Sequence, residues 1–183
     1  MKNDLDNIIA SLREEVLDHT TAFGYSLLGL RRIVAEADRW PKNSENPDPQ
    51  VGWGSRDPNL VTATVMPGWK LSEFRRAVQD DGVLVQLVSL QFVSGLFATW
   101  EHVYRDLLAE LLQKNRSDIK VDYFGDLRLL RNDALHHQMK AGDNTKRCKL
   151  LKWFNTGDPI AFSVANINEL RELFPEDALL ALI

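Results

Sequence analysis

With 183 residues, 44% of them hydrophobic, and a formal net charge of −4, the chain can fill one core but is too short for two comfortable domains. The overall acidity argues against a generally basic nucleic-acid binder, and the lone Cys148 excludes both an internal disulfide and a zinc site of the usual Cys/His spacing. One domain spanning 1–183, in a reducing and cytoplasmic compartment, is therefore expected. The amino terminus lacks the basic start and apolar run of a secretory signal, so no export is expected.

In chain order, Leu5, Ile8, Ile9, Leu12 and Val16, then Phe23, Leu27, Leu30 and Val34, recur at three-and-four spacing and predict a long amphipathic helix. Gly24 and Gly29 either bend it or let a neighbouring helix approach closely. Between about residues 40 and 70 the pattern stops. Five of the seven prolines fall there, with Trp40, Trp53 and Trp69, which predicts a long irregular insertion whose indoles pin it to the bundle rather than stack on nucleobases.

Ser72 and Glu73 open a further helical stretch. Gly82 to Trp100 carries no charge, but Gln86, Ser89, Gln91, Ser94 and Thr99 favour a buried bundle helix over a membrane span. The stripe Val93, Leu96, Phe97, Trp100, Val103, Tyr104, Leu107, Leu108, Leu111 and Leu112 predicts the core helix, with Glu101 and Arg105 as an i,i+4 pair on its flank. Phe124, Leu127, Leu130 and Ala134 give the next helix its buried face. Alternation around Ile160, Phe162 and Val164 after the turn-forming Asn155-Thr156-Gly157-Asp158-Pro159 predicts a small β-hairpin at about 150–165. Asn166 and Glu169 have the spacing of a capping box opening a terminal helix, which Phe174-Pro175 interrupts. The fold class expected is all-α.

Chemistry concentrates in Arg131-Asn132-Asp133-Ala134-Leu135-His136. An arginine presents a rigid fork of N–H donors suited to phosphate oxygens, and histidine alone has an unperturbed pKa near the working pH. Around it, Arg128, Arg131, Lys140, Lys146, Arg147, Lys149 and Lys152 stand against Asp133 and Asp143, a local charge of +5 in a chain that is otherwise acidic. Such a patch either holds a polyanion through backbone contacts or is a solvated loop and helix end. On a regular helix, residues five apart point about 140° from each other. Either the helix loosens at the motif, or Arg131 reaches around on its long stem. Arg128, Asn132 and His136 instead form an i, i+4, i+8 stripe, which makes Arg128 the reserve cation.

This segment resembles the signature of the HEPN superfamily, an Arg followed after four to six residues by His, and the resemblance extends back to Phe97-Ala98-Thr99-Trp100-Glu101-His102 and forward to Lys152-Trp153-Phe154. The resemblance implies a HEPN-like helical bundle and a metal-independent endoribonuclease without cofactor, acting on single-stranded RNA as a toxin or antiviral defence effector. In that reading His136 is base or acid and Arg131 the charge clamp. Asn132 fixes the phosphate or the imidazole tautomer, and Glu101 orients Arg131. Arg128, His137, Lys140, Lys146, Arg147 and Lys149 hold RNA. Because acid and base are two tasks and one chain offers one motif His, a homodimer that pairs two motifs across a twofold axis is implied. An antitoxin or other regulatory protein is a further implied partner, and no membrane is. Some family members carry a Tyr two residues after the His, where this chain has Gln138, so regulation through that position is not expected. His19 and His102 read as structural. The competing readings are a catalytically silent module that binds RNA or protein, and a purely structural dimerisation bundle.

Overall fold

The computed structural model describes residues 2–39, 47–51 and 68–183. Helix α1 (Lys2–Ala37) runs unbroken for 36 residues and buries Leu5, Ile9, Leu12, Val16, Phe23 and Leu27 along one face. Its two glycines do not interrupt it, and they admit no neighbour, since nothing lies within 4 Å of the space a Cβ would take at Gly24 or Gly29. The close helix approach occurs at Gly95 instead, where a Cβ would come within 3.1 Å of the His19 ring of α1. His19 thus packs at the seam between helices, its Nε2 3.4 Å from Thr99 Oγ1, as a structural residue would. His102 is exposed.

Strands β1 (Gln50–Val51) and β2 (Trp69–Lys70) pair antiparallel at the base of the insertion. Asp48 accepts hydrogen bonds from the Ser72 amide at 2.9 Å and the Ser72 hydroxyl at 2.6 Å, which holds its carboxyl below the usual carboxylate range and anchors the start of helix α2 (Leu71–Ala77). Trp69 is 39% exposed. Trp40, Trp53 and most of the insertion's prolines lie outside the described residues, and so does the expectation that their indoles pin it.

Helix α3 (Val83–Thr99) continues through a π-helical turn at Trp100–Tyr104 into helix α4 (Arg105–Leu112). This rod, Val83–Leu112, is long and apolar enough to cross a membrane by length and composition alone. Its face of Val85, Phe92, Val93, Leu96, Phe97 and Trp100 forms the centre of the bundle's core. Its most buried polar group is also satisfied within the fold. Ser89 Oγ donates to the Val85 carbonyl at 2.7 Å and accepts from the Phe162 amide at 2.8 Å. The π turn alters the stripe read from the sequence. The Arg105 amide bonds back five residues to the Trp100 carbonyl, and the widened turn rotates Val103 and Leu107 outward, 46% and 43% exposed, while Tyr104 and Leu108 take the inner face.

Helix α5 (Asp122–His136) packs on α3, and the flat stack of Trp100 on Phe124, with ring centroids 3.9 Å apart and planes 3° from parallel, marks their contact. The chain then turns through Gln138 and Met139, both with positive φ. The hairpin expected at 150–165 is absent. Its turn exists, with Gly157 at φ 92° and the Asp158 amide bonded to the Asn155 carbonyl. The segment pairs instead with residues 139–141, through Ala141 to Asp158, Gly157 to Ala141 and Ile160 to Met139. Burial explains the choice: Ile160 and Phe162 are drawn into the core, where Phe162 meets Phe23, Phe92, Trp153 and Phe154. The cap of helix α6 (Val164–Glu172) lies three residues before the predicted one. Ser163 is the cap, accepting from the Asn166 amide, and Asn166 answers by accepting from the Ser163 amide at 2.9 Å. Helix α7 (Glu176–Leu180) follows Pro175. The described residues are mostly helical, and the apolar residues buried in α1, α3, α4, α5, α6 and α7 form one continuous cluster.

Candidate functional site

Helix α5 separates its side chains into two faces. Tyr123, Phe124, Leu127, Leu130 and Ala134 point into the core, and with them two carboxylates, Asp126 and Asp133, 2% and 0% exposed. Each is fully committed to the chain that follows. Asp126 accepts from the amides of Lys149, Leu150 and Leu151 at 2.6–3.0 Å. Asp133 accepts from the Gly142 amide, the Asn144 side chain, and both the amide and hydroxyl of Thr145, at 2.7–2.8 Å. Burial pushes the Asp133 carboxyl up, but the bonds from Thr145, Asn144 and Gly142 outweigh it and hold the group below the usual carboxylate range. Together the two carboxylates clasp the basic loop 142–151 against α5. Burial beside Asp126 and Asp133 pushes the Cys148 thiol up to about 12, so this cysteine is inert.

The sequence reading missed both carboxylates as organisers. The signal was present, because two acids seven residues apart on the apolar face of a helix need buried donors, but the donors come from a loop whose path no periodicity reveals.

The outward face carries the motif. Arg128 and His136 are exposed, and Arg131 and Asn132 are half-buried. At 100° per residue these positions, with Leu135 between them, fan over an arc of about 140° whose edges are Arg131 and His136. The helix stays α-helical through His136 and does not loosen at the motif, so within one chain the guanidinium of Arg131 and the imidazole of His136 diverge. Arg131 lies over the Phe97 ring with its Cζ 5.6 Å from the centroid. It does not receive the orienting carboxylate expected of Glu101. Glu101 sits on the π turn and is held by Arg105 Nη1 at 2.9 and 3.0 Å and by Arg116 at 3.2 Å. What the helix does align is Arg128, Asn132 and His136, on one stripe over about 12 Å of its length. A cleft of about 240 Å3 opens beside Arg128, between Phe97, Glu101 and Arg105 on one wall and Lys120 and Gly125 on the other.

The basic footprint is smaller than the sequence count. Lys149 reaches Asp122 at 2.8 Å, an ion pair that raises the pKa of its ammonium, and Lys146 reaches Asp143 at 2.9 Å. Because Asp122 and Asp126 both contact this stretch, they lower the local balance from +5 to +3. Arg128, Lys140, Arg147 and Lys152 remain exposed, without ion pairs among the described residues. His137, at the end of α5, is exposed and stands 3.7 Å from Asp133. Among the described residues no group of three His, Cys, Asp or Glu side chains is placed to hold a metal ion.

No family model, curated protein or solved structure matches this chain.

Proposed function

We propose that this chain is a HEPN-like, metal-independent endoribonuclease that cleaves single-stranded RNA by 2′-hydroxyl transesterification, acting in the cytoplasm as a toxin or antiviral defence effector. The observation that carries the reading is the outward stripe of α5. There an exposed imidazole, His136, follows Asn132 and Arg128 with no hydrogen bond or ion pair to other described residues, while the buried acids of the same helix are saturated.

The chemistry follows from those groups. An imidazole takes the proton of the ribose 2′-hydroxyl, the oxygen attacks the adjacent phosphorus, and a second, protonated imidazole donates to the departing 5′-oxygen. The products are a 2′,3′-cyclic phosphate and a 5′-hydroxyl. The second imidazole is the same residue of a twofold-related subunit, because one chain supplies a single motif histidine on this stripe. Arg128 stabilises the charge that grows on the phosphorane, and Asn132 hydrogen-bonds the phosphate. Arg131 serves the active site across the dimer rather than beside its own His136. Acid–base help of this kind is worth roughly 10²–10⁴-fold in rate.

A second reading, a HEPN-like module that binds RNA or a protein partner without cutting, is favoured by one feature: Arg131 rests on Phe97, about 140° around the helix from His136. The experiment that separates them incubates wild-type protein and His136→Ala with end-labelled single-stranded RNA in EDTA, with DNA of the same sequence as control. Cyclic phosphate ends from the wild type alone support cleavage. RNA retention without cutting supports the binding module, and equal cutting by both proteins overturns the mechanism.

A further inference from the structure

The cleft beside Arg128 stays open for no reason that the fold supplies. Gly125 forms part of its wall, inside α5, with helical backbone and nothing within 4 Å of the place a Cβ would take. A glycine there weakens the helix relative to alanine, and neither a positive φ nor a close neighbour calls for it. What the missing side chain leaves is room. The volume, about 240 Å3, lies below that of pockets that take drug-sized molecules and suits a single flat ring system.

The opposite wall is shaped by the π turn, a rare feature that is frequent at functional sites. Trp100, its first residue, closes the floor together with the Phe124 ring on which it stacks. Arg105 spends Nη1 on both oxygens of Glu101 and Nε on the Ile119 carbonyl at 3.1 Å, while its Nη2 has no hydrogen bond among the described residues. Glu101 Oε2 accepts from Arg105 alone among them, at 2.9 Å, which leaves it room for a second donor. An open donor and an open acceptor thus stand side by side, and the edge of a nucleobase, with its carbonyl or ring nitrogen beside an N–H, complements them. Charge agrees. The two acids at the cleft are already matched, Glu101 by Arg105 and Arg116, and Asp122 by Lys149. Lys120 and Arg128, both exposed, have no ion pair among the described residues and are left for a phosphate.

We propose that this cleft is a base-specificity pocket, taking the unstacked nucleobase of the RNA nucleotide whose phosphate Arg128 holds, with Glu101 and Arg105 reading its edge. Arg128 begins the stripe that continues through Asn132 to His136, so that nucleotide flanks the bond that is cut. The pocket rests on the cleavage reading for the course of the strand and adds to it a means of choosing where to cut.

Binding separates the pocket from the chemistry. In His136→Ala protein, fluorescence anisotropy compares a short single-stranded RNA with the same strand made abasic. Gly125→Leu, which fills the cleft from an open position, is expected to raise the dissociation constant for the RNA about tenfold and to leave that for the abasic strand unchanged. Lys120→Ala is expected to weaken both strands alike and to reduce the salt slope by about one. Leucine favours a helix and meets no atom at its Cβ, so the thermal midpoint of Gly125→Leu should be no lower than that of its parent. Should it fall, Gly125→Ala, which adds a single carbon, is expected to show the same base-dependent loss at smaller size. With His136 present, Gly125→Leu is expected to lower cutting and to even it out among the four bases beside the cut. An equal loss on both strands, no loss on either, no binding of the RNA, or tighter binding of a free nucleoside monophosphate than of the strand would overturn the proposal. Base-dependent binding by a protein that never cuts would retire the cleavage reading and leave the pocket standing.

Discussion

The two faces of helix α5 hold equally polar residues that face opposite demands. Inward, Asp126 and Asp133 are removed from water and their oxygens are filled by amides, a side-chain amide and a hydroxyl of loop 142–151. Outward, Arg128, Asn132 and His136 keep their donors and acceptors free for something outside the chain. A polar group that the fold has satisfied works for the fold, and one left open at low cost in solvent is available for chemistry.

The sharpest way to break this contrast is to swap the measurements. His136→Ala is expected to cut the rate of RNA cleavage by roughly 10²–10⁴-fold while shifting the thermal midpoint by no more than other surface changes. A parallel loss of stability would show that the outward face is structural after all. Asp133→Ala should do the reverse in kind, costing about 3 kcal/mol or more by urea unfolding, because it strands the donors of Gly142, Asn144 and Thr145 in a buried site.

The inward face also predicts a dependence on pH. Asp133 has its folded pKa lowered, so its stabilising share is complete above its unfolded value of about 3.9 and is lost as pH falls through the folded one. Between pH 5 and 2 the wild-type urea midpoint should therefore fall further than that of Asp133→Asn, with Asp48 contributing alike to both. Equal slopes would remove Asp133 from the acid response. The smallest effect expected is at the start of α6, where Ser163→Ala should cost about 1 kcal/mol and Glu169→Ala should not reproduce it as a loss of the cap, as the observed cap and not the predicted one requires.

Much of the helical architecture is legible from spacing. The faces of α1, α3 and α5 follow apolar periodicity, because a helix must bury its stripe whatever lies across from it. The failures share a cause. The 150–165 segment alternates like a hairpin and contains the turn of one, but its strand partner is residues 139–141, a choice made by the positive-φ exit from α5 and by the pull of Phe162 into the aromatic cluster. Val103 and Leu107 fit the stripe perfectly until a π turn, a feature with no composition of its own, rotates them out.

For the candidate site the division is similar. The sequence by itself determined the residue types of the motif, their order on one helix and the angular fan between Arg131 and His136, because helix geometry is local and repeats every 3.6 residues. Only the tertiary structure decided that Glu101 also receives Arg116, that Arg131 rests on Phe97, and that Asp126 and Asp133 clasp the basic loop. Those pairings join residues from about 9 to 34 positions apart, and which donor fills which acceptor depends on how the turns and neighbouring helices pack, information no single stretch of sequence carries.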